Sequence, residues 1–134
     1  TLFPYTTLFR SRLDDLINVA KYLKNRSSNN PIRINTNGLA DLVNKKETAT
    51  FFKELINTVS ISLNASNAKE YLRLTRSKFG IESYDAMLKF TISCKKYVPN
   101  VVMTVVDCIG QEEIDACKVV CDSIGVPLRV RPFE

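Results

Sequence analysis

The chain has 134 residues, 45% of them hydrophobic, a formal charge of +5 and no histidine. That length suits one domain with its own core, and the missing imidazole removes the usual proton shuttle and metal ligand. The basic residues are scattered without an interleaved aromatic stripe, so nucleic-acid binding is unsupported; no apolar run is long enough for a bilayer and no secretory signal is evident, which points to a cytoplasmic protein with no membrane partner.

Residues 1–11 read TLFPYTTLFRS, the peptide obtained when a common sequencing-library adapter is translated in one frame. The expectation is that this segment is an artefact outside the fold, the bland alternative being a native extended segment. Residues 12–134 are then expected to be the C-terminal part of something longer.

Residues 12–24 place Leu13, Leu16, Ile17, Ala20 and Leu23 at helical spacing, with Asp14 and Asp15 in the first turn and Lys21, Lys24 and Arg26 near the end, as the helix dipole favours. A polar loop is predicted over 27–31. The segment I-R-I-N-T-N-G over 32–38 alternates Ile32, Ile34 and Thr36 against Arg33, Asn35 and Asn37, a strand closed by a glycine turn. A helical turn over 39–43 and a short helix over 51–56 lead to a second strand, in which Val59, Ile61 and Leu63 alternate with Ser60, Ser62 and Asn64. Asn67 and Glu70 form a capping pair for a helix to about residue 78, broken by Phe79-Gly80. Ser83 is expected to cap the next helix, which Pro99 stops after Tyr97. A third strand covers 101–107. A helix from Gln111 follows, with Glu112 and Glu113 in its first turn, an apolar face of Ile114, Cys117, Val120, Cys121 and Ile124, and Gly125 as its stop. The last strand covers 128–133. Repeated β/α alternation predicts a parallel sheet with right-handed crossovers.

Two sets of residues can carry chemistry. Four cysteines without a signal peptide are read as free thiols in a reducing compartment; Cys94, Cys108, Cys117 and Cys121 are all expected in the core, and no metal or catalytic residue is assigned. The stronger signal is the polar parity of the strands: Arg33, Asn35, Asn37, Ser60, Ser62, Asn64, Thr104, Arg129 and Arg131. A closed parallel barrel fills its lumen with Val, Ile and Leu, so these groups need water or a ligand. Either they line a ligand cavity, or one parity faces bulk solvent on a half-covered sheet. A ligand would sit at the strand C-termini, near residues 35–38, Asn64, Asp107 and Arg131.

Several segments together carry a resemblance: R-I-N-T-N-G-L-A-D-L over 33–42, V-S-I-S-L-N-A over 59–65, F-G followed by Y-D-A-M-L over 79–88, Y-V-P-N-V-V-M-T-V-V-D over 97–107 and I-G-V-P-L-R-V-R over 124–131. In order and spacing the chain resembles the later strands of the radical S-adenosylmethionine (SAM) superfamily, closest to the TatD-associated radical SAM group. The resemblance implies an α/β fold: a partial (βα) barrel of radical SAM type, with four parallel strands of the original six and helices on the outer face. Residues 12–134 would be the C-terminal part of that (βα)6 core domain. It also implies SAM as cofactor, held by Asn35, Thr36, Asn37 and Gly38 on the first of these strands, Ser62 and Asn64 on the second, Thr104, Val106 and Asp107 on the third, and Arg131 on the last. Many relatives carry an acidic residue where Ser62 or Asn64 stands.

The superfamily binds a 4Fe-4S cluster through a C-x3-C-x2-C loop and holds the methionine amino group with a G-E-P-like segment, and neither occurs in this sequence. The resemblance therefore implies a parent enzyme that takes an electron from a donor, cleaves SAM reductively and abstracts hydrogen from an unknown substrate, whereas this chain alone is inactive. Two other function classes stay open: a small α/β module with a strand-end pocket for a phosphate or nucleotide, and a nucleic-acid-associated interaction protein.

Overall fold

The computed structural model describes residues 2–3, 13–26 and 31–133. In chain order the elements are β1 (Leu2–Phe3), α1 (Leu13–Arg26), β2 (Arg33–Thr36), α2 (Ala40–Asn44), β3 (Thr58–Ser62), α3 (Ala68–Thr75), α4 (Glu82–Tyr97), β4 (Asn100–Val106), α5 (Gln111–Ile124) and β5 (Leu128–Arg131), with 3-10 turns at Ala49–Phe52 and Asp107–Ile109. All neighbouring strands are parallel, and their order in the sheet is their order in the chain. A sequential parallel order is what repeated right-handed crossovers produce, and it sends every connecting helix to the same face. That topology fixes which side of the sheet stays free of helices.

The two parities behave accordingly. On the helix side Ile34, Val59, Ile61, Met103 and Val105 are 1% exposed or less. The helices bring matching apolar stripes: Leu16 and Ala20 from α1, Met87 and Phe90 from α4, Cys117 and Cys121 from α5. Phe52 meets Phe90 edge-on at 6.2 Å between ring centroids, and Tyr71 meets Tyr84 at 5.4 Å. The Tyr84 hydroxyl donates to the Ala65 carbonyl at 2.9 Å, which satisfies its one polar atom inside this core.

Local structure departs from expectation in four places. Residues 51–56 do not form an α-helix; the 3-10 turn ends at Phe52 and Glu54 adopts φ 64°, so the segment is too short to propagate. Ser83 does not cap α4: its hydroxyl donates back to the Gly80 carbonyl at 2.7 Å, and the helix already begins at Glu82. The helix expected to reach residue 78 ends at Thr75, where Arg76 turns left-handed and donates its N–H to Leu72. Asn67 caps that helix by accepting the Glu70 N–H at 2.8 Å, but the Glu70 carboxylate engages Arg73 instead of reaching back, which holds its pKa below the ordinary carboxylate value.

Within the segment expected to be an adapter artefact, Leu2 and Phe3 pair their backbone with β2, opposite Arg33 and Ile34. This differs from a segment wholly outside the fold. The pairing uses main-chain groups that an open sheet edge offers to any extended peptide. Residues 1 and 4–11, and residues 27–30 of the loop predicted over 27–31, lie outside the described residues.

Candidate functional site

The register assembles the helix-free face row by row. Arg33 lies opposite Thr58 and Thr58 opposite Asn100; one step on, Asn35 lies opposite Ser60 and Ser60 opposite Val102. The next row joins Ser62, Thr104 and Arg129, and the last joins Val106 and Arg131. From these rows Arg33, Asn35, Ser60, Thr104, Arg129 and Arg131 enclose a hollow of about 330 Å³. Its floor is made of small hydroxyl side chains, Ser60 at 6% and Thr104 at 5% exposure, and its walls of long guanidinium side chains. Short residues at the middle of the sheet and long ones on β2 and β5 are what make the face concave.

The hollow is electrostatically one-sided. The Arg33 Nε donates to Asn35 Oδ1 at 3.2 Å, which aligns that guanidinium along its strand. Among the described residues no carboxylate forms an ion pair with Arg33, Arg129 or Arg131; the exposed pairs are Glu70 with Arg73, Asp85 with Lys89 and Asp122 with Lys118, all elsewhere. An arginine stays charged at any physiological pH, so the face presents three uncompensated cations.

Of the residues singled out from strand parity, Arg33, Asn35, Ser60, Thr104, Arg129 and Arg131 meet in this hollow; of those the family resemblance names, Asn35, Thr104 and Arg131 do. Ser62 shares the face and sits opposite Thr104, yet does not line the hollow, and Val106 contributes the backbone opposite Arg131. Thr36 does not face it: it is 1% exposed on the opposite parity, and its hydroxyl accepts the Gly38 N–H at 3.0 Å. Gly38 serves packing, since a Cβ there would approach Met87 Cγ at 2.8 Å and Ile61 Cγ2 at 3.1 Å, at a φ of +77°. Asp107 accepts the Phe133 N–H at 3.0 Å and so ties the two chain segments beyond β4 and β5.

Asn37 and Asn64 belong to the strand ends. They line a second hollow of about 350 Å³ with Tyr71, Arg76 and Lys78. The Asn37 amide oxygen accepts the Leu39 N–H at 3.1 Å, and Asn64 holds a left-handed φ of 68°, so both shape the turns that leave their strands. Asn64 also borders a third hollow of about 540 Å³, with Glu70, Arg73, Cys108 and Glu113. Glu113 is more than a dipole residue: one oxygen accepts the Ser66 N–H at 2.9 Å and the other its hydroxyl at 2.8 Å, clamping the loop after β3 to the start of α5. That role joins residues 47 apart in sequence and has no local signal. Arg33, Ser60 and Arg129 lie on the polar parity, but the family resemblance assigns them no role.

Cys94, Cys117 and Cys121 are sealed in the core, whereas Cys108 is exposed in the turn after β4, which corrects its expected burial. Burial, followed by Glu113 and Cys121, pushes the Cys117 thiol up to about 12; burial, followed by Asp122, pushes Cys121 up to about 11. Cluster ligation needs thiolates, and these sites favour the thiol. Among the described residues no three His, Cys, Asp or Glu side chains are grouped to hold a metal ion, so the chain's own donors do not fit a 4Fe-4S cluster. No helix of the described residues is long and apolar enough to cross a membrane.

No protein-family model matches this chain, and no curated protein matches it.

Proposed function

We propose that the helix-free face of β2–β5 is the cofactor-binding wall of a radical SAM-type partial barrel, and that this chain's part in the parent enzyme is to hold and orient SAM. The reading is carried by one observation: hydroxyl, amide and guanidinium groups from four sequential parallel strands align in register on the one face that the crossover helices leave open. A nucleoside offers ring nitrogens and ribose hydroxyls, for which Asn35, Ser60 and Thr104 supply matched donors and acceptors.

Bound on this wall in the parent enzyme, SAM would supply radical chemistry for hydrogen abstraction from a substrate. The residues of this chain act before and around that chemistry. Asn35 is pre-oriented by Arg33 and presents its amide group to the hollow. Ser60 and Thr104, nearly buried, exclude bulk water from the floor while keeping hydroxyls for the ligand. The thiols are not part of this contribution, and the parent's cluster would be held by residues this chain does not contain.

The test is a titration of the 134-residue chain with SAM, read by isothermal calorimetry or ligand-observed NMR. Binding that weakens at least tenfold in Asn35→Ala and Thr104→Val is the expected result. Under reducing conditions with iron and sulfide the same chain should release no 5′-deoxyadenosine. Absence of SAM binding by a chain with intact far-UV circular dichroism would sink the reading, as would measurable cleavage without added cluster ligands.

A further inference from the structure

The charge of the hollow has the same sign as that of SAM, which therefore cannot balance it. SAM carries a sulfonium, an ammonium and a carboxylate, a net single positive charge, yet the wall around it holds Arg33, Arg129 and Arg131 with no ion-paired carboxylate among the described residues. Adding a cation to three cations is unfavourable unless a further anion enters with it. We propose that the second occupant of this face, the substrate, carries an oxyanion group, a phosphate ester or carboxylates, gripped by Arg129 and Arg131 and faced by Arg33 from the opposite side. This inference rests on the reading of the helix-free face as a ligand wall.

The geometry supports a two-ended site. Arg129 and Arg131 are two residues apart on β5, so they project to the same face with Cα atoms roughly 6.6 Å apart. Two guanidinium forks at that spacing can converge on one phosphate or carboxylate from neighbouring positions. Arg33 stands on β2, three strand spacings or roughly 14 Å across the sheet and four residues or roughly 13 Å back along the strands from the Arg129 row, with the Ser60 and Thr104 hydroxyls between. An elongated acidic molecule fits this layout, its main oxyanion at the β5 end. Arg129 and Arg131 are exposed and take no part in the core, so their charge is not needed for folding.

Inorganic pyrophosphate and citrate, titrated separately into the 134-residue chain at low salt, test the proposal and distinguish phosphate from carboxylate. At least one probe should bind, with its Kd rising at least tenfold in Arg131→Ala and at least a hundredfold in the R129A/R131A double variant, while far-UV circular dichroism is unchanged. Removing two other cations, Lys89→Ala with Lys118→Ala, should leave the Kd within threefold. Neither probe binding, or an equal loss in the lysine variant, overturns the proposal. Oxyanion binding through the arginines by a chain that does not bind SAM supports this inference and defeats the SAM reading; SAM binding without either oxyanion does the reverse.

Discussion

Replacing Gly38 by alanine separates two costs that the structure places at one residue. Gly38 has φ +77°, where an L-residue is disfavoured by about 1–2 kcal/mol. The added Cβ would also sit 2.8 Å from Met87 Cγ and 3.1 Å from Ile61 Cγ2, both side chains fully buried. Overpacking of that kind costs about 1–3 kcal/mol because α4 and β3 must shift to relieve it. Together the two effects predict a loss of about 2–5 kcal/mol, a large share of the about 5–15 kcal/mol that holds a domain folded. Gly80→Ala supplies the comparison: φ is +71° but nothing lies within 4 Å of the new Cβ, so only the backbone cost of about 1–2 kcal/mol applies. Urea unfolding followed by circular dichroism measures both variants. Equal destabilisation of the two, within about 0.5 kcal/mol, would show that the Met87 contact does not constrain this turn and would refute the packing argument.

Further outcomes follow from the core and its thiols. At pH 8 a water-soluble alkylating reagent should label Cys108 in the native chain and reach Cys94, Cys117 and Cys121 only after denaturation, as intact-mass spectrometry would show; native labelling of the α5 cysteines would contradict their burial. With the folded thiols raised to about 12 at Cys117 and about 11 at Cys121 from an ordinary 9.0, the folded chain keeps protons that the unfolded chain releases above pH 9. Their contribution to stability is therefore constant below pH 9 and declines from there to about pH 12, and C117A/C121A should flatten that decline in pH-dependent urea unfolding. Tyr84→Phe removes the bond to the Ala65 carbonyl and should cost about 1–2 kcal/mol in the same assay with no change in secondary structure.

Strand parity was legible because alternation in β2 and β3 is nearly strict, and one buried face per strand leaves no other register for Ile34, Val59 and Ile61. Parity does not specify rows. Ser60 and Ser62 point to the same side, yet Ser60 lines the hollow and Ser62, although paired with Thr104, does not, a distinction that alternation alone does not carry. Thr36 shows the opposite failure: its place in a polar string invited a ligand role, while its parity, already on the apolar side, gave it to the turn before Gly38. Cys108 differs because residue type alone suggested burial: it lies two residues beyond Val106, in the 3-10 turn Asp107–Ile109, and shares the parity of Thr104 and Val106 rather than that of buried Met103 and Val105. The Ser66–Glu113 clamp was invisible because each partner has a sufficient local explanation.

The sequential order of the strands divides labour within single residues' reach: at every step along β2, β3 and β4 one side chain maintains the scaffold and its neighbour is free of that duty. Such a chain can explore new chemistry by exchanging Arg33, Asn35 or Arg129 while Ile34, Val59 and Met103 hold the architecture constant. Divergence of specificity within this architecture should therefore accumulate at odd positions of β2 and even positions of β3 and β4, leaving thermal tolerance nearly untouched.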